Sequence, residues 1–282
     1  MTSCFIVTRF NLALYHKDKE NNPVRTDEWL DDRFRLFETY CVPSVRNQTY
    51  QNFCWIVLFS AQTPDKYKFR IEKICNNFPQ FVVLYIDDDE IDAYHSQVKE
   101  QICKLKDDTN LLVTIRIDND DAISVDYVER AMKLAESQRK EKQGYSFVYG
   151  IQYHEKVRLA VRVPYPNNHF IFEVNTAFYA EQPFDYILEY NHAEVNQMPF
   201  PFEYSKEKKV MWAEVIHGRN VDNDVKKTIH QKPIFQRDFL IKTFAWNFPI
   251  KTLHSVIAYM LYLPVAAVLH AIQRIKQRFC RR

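Results

Sequence analysis

The chain has 282 residues, 46% of them hydrophobic and 15% aromatic, which is ample for a large buried core. Its formal charge of +2 is unevenly spread: the last nine residues, Arg274 to Arg282, hold five basic side chains and no acidic one, which leaves 33 basic against 36 acidic residues in the rest. That balance argues against nucleic-acid binding by the body, and with only three glycines, Gly144, Gly150 and Gly218, neither a GxGxxG fingerprint nor a P-loop can be built, so phosphate must be met by a metal, by Arg or Lys, or by helix N-termini.

In chain order, Cys4–Phe10 (CFIVTRF) reads as a first strand, apolar and β-branched. Tyr15–Thr26 is charged and loop-like. Asp27–Arg46 predicts a helix that Asp27 can cap, with Leu30, Phe34, Phe37 and Cys41 recurring at helical spacing. Phe53–Phe59 is a second apolar strand, and Thr63-Pro64 a helix start with Thr63 as cap. Phe81–Ile86 is a third strand, Ile91–Leu105 a helix, Leu111–Ile117 a fourth strand, and Ser124–Lys140 a helix capped by Ser124. Beyond it come short strands at Tyr145–Gly150, Val157–Val163 and Phe170–Val174, then an aromatic stretch from Phe184 to Phe202 that should wrap one end of the sheet. Strands this continuously apolar are covered on both faces. The first half is therefore an α/β, Rossmann-like, mostly parallel sheet flanked by helices.

The six cysteines are scattered with no CxxC pair, which argues against a disulfide framework or zinc site. The N-terminal MTSCFIVTRF lacks the pattern of a signal peptide, so a reducing cytoplasm is expected.

Parallel sheets bind ligands beyond the carboxyl ends of their strands. Arg9 and Asn11, Ser60 to Thr63, Asp87 to Asp89, and Asp118-Asn119-Asp120-Asp121 all fall there. The last cluster follows Arg116 and a buried strand. Carboxylates at i and i+2 on such a turn can share one Mg²⁺ or Mn²⁺, which takes further ligands from substrate phosphates. Asp120 is the foremost candidate ligand and Asp118 the next; Asp121 reads as an accessory ligand or a turn residue. Local turn and capping preferences also account for Asp and Asn here. Asp87-Asp88-Asp89-Glu90 is a rival cluster, equally readable as a solvated helix start. His217, beside Gly218, is a possible further ligand or phosphate contact, or simply the end of an amphipathic segment. Glu214 is a weak candidate for a general base, or a surface acid. Trp212 suits a sugar face or the core.

Several strings resemble a known family in the same order. They are Thr8-Arg9-Phe10-Asn11, Trp29-Leu30-Asp31-Asp32-Arg33, Pro43-Ser44-Val45, Trp55-Ile56-Val57, Thr114 to Ala122, and Val215-Ile216-His217-Gly218 with Asn220. The family is that of bacterial rhamnosyltransferases, glycosyltransferases with a GT-A-like fold, and the match runs from about Cys4 to Asn223. The resemblance implies a nucleoside-diphosphate-sugar donor, a divalent metal (Mn²⁺ or Mg²⁺) and a glycan or lipid-linked acceptor. It implies Asp118 and Asp120 as the DxD pair, Arg9 near the nucleotide and His217 near the diphosphate. A metal-dependent phosphoryl-transfer or hydrolase enzyme and a non-catalytic nucleotide-sugar-binding relative are the alternatives.

Residues 1–250 are expected to form the glycosyltransferase body and 251–282 a helical tail. Val256–Leu269 is uncharged but, at 14 residues and interrupted by Pro264, too short for the roughly 20 of a membrane span. From Val265 on, an apolar stripe is ringed by basic residues. This suits either an amphipathic helix on an anionic membrane surface, with Trp246 and Tyr259 at headgroup depth, or a helix packed on the body. The first places the enzyme peripherally on the inner face of the cytoplasmic membrane.

Overall fold

The computed structural model describes residues 2–17, 23–155, 158–180, 182–205, 207–217, 232–234 and 237–246. The expected tail, 251–282, lies outside them, as does Gly218.

Four parallel strands form the heart of a seven-stranded sheet: β1 (Cys4–Arg9), β2 (Cys54–Ser60), β3 (Phe81–Ile86) and β4 (Leu112–Arg116). β6 (Lys142–Phe147), β9 (Ile171–Asn175) and β10 (Phe202–Ser205) extend it to the order β10-β6-β9-β4-β1-β2-β3, with β9 antiparallel to both β4 and β6. Alternation along β1 distributes its side chains to two cores. Cys4 and Ile6 join a core with Phe34, Phe37, Trp55 and Tyr67; Phe5 and Val7 join another with Ile56, Val98 and Ile102. Helices α1 (Asp27–Leu36) and α3 (Asp65–Cys75) supply the first core, and α4 (Tyr94–Leu105) the second. This is the two-sided α/β architecture that the apolar strands predict.

Local chemistry explains the helix ends. The Thr26 hydroxyl accepts from the Trp29 N–H at 3.3 Å, with Asp27 and Glu28 in the first turn of α1 and Arg33 and Arg35 in the last, in favour of the helix dipole. The long helix expected over 27–46 instead continues through a π turn, Phe37–Cys41, into α2 (Val42–Arg46). Three expected caps are corrected. Thr26, not Asp27, caps α1, because Asp27 is already the first residue inside the helix. α3 begins at Asp65, and the Thr63 hydroxyl donates to the Ser60 carbonyl at 2.6 Å instead of capping. α5 spans Tyr127–Ser137, and the Ser124 hydroxyl is directed to Asp126 and the Met211 sulfur. The helix expected from Ile91 opens as a 3-10 turn, Asp88–Ala93, ahead of α4.

The second half differs most from expectation. Tyr145–Gly150, read as one strand, is two: β6 ends at Phe147 and β7 (Tyr149–His154) enters another sheet. That sheet has five strands in the order β12-β8-β7-β11-β5, made of β12 (Lys232–Ile234), β8 (Leu159–Pro164), β7, β11 (Trp212–Ile216) and the two-residue β5 (Ala122–Ile123). Its core holds Tyr40, Tyr153, Val215, Leu240 and Trp246, with α6 (Arg237–Phe244) packed alongside. Trp246 is therefore not a headgroup anchor: it is 1% exposed, and its indole N–H donates to the Tyr40 carbonyl at 3.0 Å. Trp212 likewise belongs to the core, fully buried and stacked on Phe170 with centroids 5.1 Å apart. Among the described residues no helix is long and apolar enough to cross a membrane.

The acidic turn lies where the chain passes between the sheets. β4 ends at Arg116 in the first sheet, and β5 begins at Ala122 in the second.

Candidate active site at the seam between the sheets

The turn Asp118–Asp121 closes with an Asp121 N–H to Asp118 carbonyl bond of 3.3 Å. Asn119 clasps it to the end of β1: its amide donates to the carbonyls of Arg9 and Phe10 at 2.8 and 3.0 Å. The three carboxylates then diverge.

Asp121 points inward and is fully buried. One oxygen accepts from the Val215 N–H at 2.8 Å and the other meets His169 Nε2 at 2.6 Å. Burial and the charge of Asp120 push Asp121 up to about 7. Burial works against an imidazolium at His169, but the hydrogen bond to Asp121 wins and raises it. Asp120 is paired otherwise. Its Oδ2 receives Arg33 Nη1 at 2.6 Å and lies 2.9 Å from His217 Nε2. Burial alone would raise this carboxyl; Arg33 and His217 hold it below the ordinary value. Asp118 is the most accessible of the three, its side chain 34% exposed. Burial opposes its charge too, yet Arg116, 3.4 Å away, together with His169, Arg9 and His192, holds it well below the usual carboxylate range. Asp121 and Asp120 are thus each paired with a histidine, and Asp118 is left the most accessible of the three.

A cavity of about 810 Å³ opens in front of the turn. Arg9, Asn11, Arg33, Arg116, Asp118, Asp120, His169, Tyr165, His192 and Glu214 line it, along with the segment from Leu188 to Ala193. Most of the sequence-derived candidates, Arg9, Asn11, Arg116, Asp118, Asp120 and Glu214, therefore line one cavity, while Asp121 and His217 are not part of its lining. Asn11 is also structural: its amide donates to the Thr63 hydroxyl at 2.9 Å and its carbonyl accepts from the Ser60 N–H. Glu214 is no surface acid. It is 1% exposed and accepts from Gln152 Nε2 at 2.7 Å. The rival cluster Asp87–Glu90 serves locally: Asp87 caps the 3-10 turn through the Asp89 N–H, and Asp88 pairs with Arg25 and Ser60.

The donor set is hard oxygen and imidazole nitrogen, suited to Mg²⁺ or Mn²⁺. The tightest grouping of potential ligand atoms among the described residues is Asp118, Asp121 and His169, within 4.8 Å of one another. Both Asp121 oxygens, however, already accept from the protein, and Asp121 does not reach the cavity. Asp118 and Asp120 do reach it.

Sequence reading did not single out Arg33, His169 and His192 as site residues. Arg33 sits in the last turn of α1, on the buried face with Leu30 and Phe34. His169 directly precedes an apolar strand, the one local hint of a fixed position.

A family model described as "Putative rhamnosyl transferase" matches residues 6–230. The chain belongs to this family. Curated proteins give no match. Among solved structures, S. aureus TarS 1–349 in complex with UDP-GlcNAc is similar at 11% identity over 80% of this chain and 62% of that one, with a TM-score of 0.44. TarS 1–349 without a named ligand gives 10% identity over 76% and 60%, with a TM-score of 0.41. HddC from Yersinia pseudotuberculosis gives 11% over 76% and 89%, with a TM-score of 0.36. The chain spans about 60% of the TarS 1–349 length.

Proposed function

We propose that this chain is a glycosyltransferase that moves a sugar, rhamnose by its family, from a nucleoside-diphosphate donor to a glycan or lipid-linked acceptor. One observation carries the reading: Arg9, Arg33 and Arg116 converge with Asp118 and Asp120 on a single cavity at the carboxyl ends of β1 and β4. Three guanidinium groups suit a diphosphate, and two carboxylates beside them suit a divalent ion. Asp118 and Asp120 would hold that ion from the cavity side, with His217 behind Asp120. When bound, the ion stabilises negative charge on the leaving diphosphate.

In the transfer, an acceptor hydroxyl oxygen bonds to the anomeric carbon. The bond from that carbon to the diphosphate oxygen breaks, and the diphosphate keeps the electron pair. Glu214, cavity-facing and steadied by Gln152, takes the hydroxyl proton in an inverting displacement. Asp121 and His169 brace the turn against β11. In the same reading the basic tail, 251–282, rests on an anionic membrane surface where a lipid-linked acceptor is presented.

A thermal-shift screen of nucleoside diphosphates and nucleotide sugars, with and without Mn²⁺, tests the donor site, since ligand binding raises stability by mass action. The expected result is a Mn²⁺-dependent upward shift for one nucleotide that Asp118→Ala abolishes. A folded protein that responds to none would refute the donor reading. For the tail, deletion of 253–282 should release the protein from sedimented membranes; an unchanged membrane fraction sinks the anchor.

A further inference from the structure

A groove between α2 and α3 shares no lining residue with the cavity and draws cations from both helices. Its volume is about 510 Å³. Arg46, Lys66, Arg70 and Lys73 line it, with Glu38 as the one carboxylate among the described residues that do. Four positive charges against one negative leave +3 in formal charge. Lys66, Arg70 and Lys73 recur at i, i+4 and i+7, so they share one side of α3. Like charges at those spacings repel one another. The acids of the same helix, Asp65 and Glu72, are not part of the lining.

Two of the four charges are answered within the protein. Arg70 Nη2 donates to Glu38 Oε2 at 3.1 Å, and the Lys66 ammonium lies 2.9 Å from Asp27. Arg46 and Lys73 have no carboxylate within 4.0 Å among the described residues. Each lies over a ring instead. The Arg46 guanidinium is 5.2 Å from the centre of Phe78, and the Lys73 ammonium 4.6 Å from that of Phe69. The Arg46 Nε–H is buried and meets no acceptor among the described residues. Helix dipoles account for part of this pattern, because Arg46 and Lys73 stand in the last turns of α2 and α3, where a cation is favoured. They do not account for Lys66, in the first turn of α3, nor for the meeting of both helices' cations on one groove.

We propose that this groove is a phosphate-binding site separate from the donor cavity. Arg46 and Lys73 hold the phosphate group, Arg46 through the planar fork of its guanidinium and Lys73 as a point charge. Lys66 and Arg70 add to the positive field around it. The groove is larger than one phosphate fills, so the group belongs to a larger molecule. Phe69, 59% exposed on the same groove, offers that molecule an apolar surface. The ligand is a phosphomonoester or phosphodiester, carried by a soluble compound or by a phospholipid headgroup. The groove and the cavity have no residue in common, so the site does not depend on the donor reading.

The test follows the side-chain Nε–H resonance of Arg46 in the full chain, assigned by its absence from Arg46→Gln. At constant ionic strength sn-glycerol 1-phosphate should move it saturably, and potassium chloride should not. The resonance is local to the groove, so phosphate held by Arg9, Arg33 or Arg116 in the cavity leaves it still. Lys73→Gln should weaken the binding about fivefold. Lys104→Gln, at an exposed position of α4, should leave it unchanged. Dihexanoyl phosphatidylglycerol, kept below its micelle concentration, identifies the source. Binding tighter than that of glycerol phosphate by about tenfold or more, with the gain lost in Phe69→Ser, assigns the groove to a phospholipid headgroup. Binding no tighter assigns it to a soluble phosphate. A stationary resonance with both compounds overturns the proposal, as does a shift that chloride reproduces or a binding that Lys73→Gln leaves intact.

Discussion

Gly150→Ala should be among the most damaging single-methyl additions to this protein. Gly150 on β7 lies opposite Trp212 on β11. A Cβ at position 150 would stand 2.0 Å from Trp212 Cδ2 and 2.3 Å from two further ring atoms. Carbon atoms need well over 3 Å, so the indole must move by more than about 1 Å. It has little freedom to do so, being fully buried, bonded through Nε1 to the Phe147 carbonyl at 2.7 Å, and stacked on Phe170 at 14°. Overpacking costs about 1–3 kcal/mol, the lost hydrogen bond about 1 kcal/mol, and the disrupted stack about 0.5–1.5 kcal/mol. Together they amount to about 3–5 kcal/mol, a large part of the roughly 5–15 kcal/mol that holds a typical domain together. Urea unfolding followed by tryptophan fluorescence measures this as a drop in midpoint at constant slope. The loss should extend to the site, because Trp212 begins the strand whose Val215 N–H holds Asp121. A destabilisation below about 1 kcal/mol would refute the claim that the Trp212 ring leaves no room for a Cβ at position 150.

Three further outcomes are expected. Glu173 on β9 is 1% exposed, and burial pushes it up to about 7 despite Lys142 at 3.1 Å. Because its folded pKa exceeds the unfolded one, its contribution to stability is complete below about pH 4.5 and is lost as pH rises through 7, on the order of 3 kcal/mol in all. Glu173→Gln should therefore gain on the unaltered chain across that window in thermal melts, and a gap that stays constant with pH would count against the argument. Asn119→Asp replaces two donated hydrogen bonds with a carboxylate facing two carbonyl oxygens, and should cost about 2–4 kcal/mol in chemical unfolding, more than Asn119→Ala; the reverse order would contradict the clasp. Glu214→Gln can keep its bond to Gln152 and should lower kcat by about 10²–10⁴-fold with donor affinity unchanged, read from nucleoside-diphosphate release. Retention of kcat within about threefold would remove Glu214 from the role of base.

What the sequence disclosed followed the reach of local physics. The four parallel strands are continuous apolar runs, and the helices between them carry helical spacing, so both were legible. The acidic turn was legible because it follows one of those runs. Pairings that depend on distant parts of the chain were not. Nothing near His169 announces Asp121, which is 48 residues away. Arg33 shares the apolar face of Leu30 and Phe37 while Arg35 does not, which marks it as turned inward, but nothing local names Asp120 as its partner; Arg35 pairs on the surface with Asp32 and Glu155. The division of Tyr145–Gly150 at Val148 was hidden because the apolar pattern runs straight through the crossing. Helix capping by Ser124 and Thr63 was misplaced for a related reason: both hydroxyls had nonlocal or turn partners that competed successfully with the helix ends.

The seam between the sheets governs how such a chain can change across generations. One wall of the cavity belongs to the parallel sheet, through Arg9 and Arg116; another belongs to the second sheet, through Tyr165 and Glu214. A resized side chain at Tyr165 remodels the second wall while the β4-β1-β2-β3 ladder keeps its register. Under the proposed function, new acceptors can be tried without rebuilding the donor side of the cavity. The four residues of the turn have no such freedom. They share Arg33 and His169 as partners and reach β1 and β11 as well, so a substitution there is felt on both sides at once. Diversity is therefore expected to collect along the outer strands of the second sheet, around a centre too heavily shared to drift.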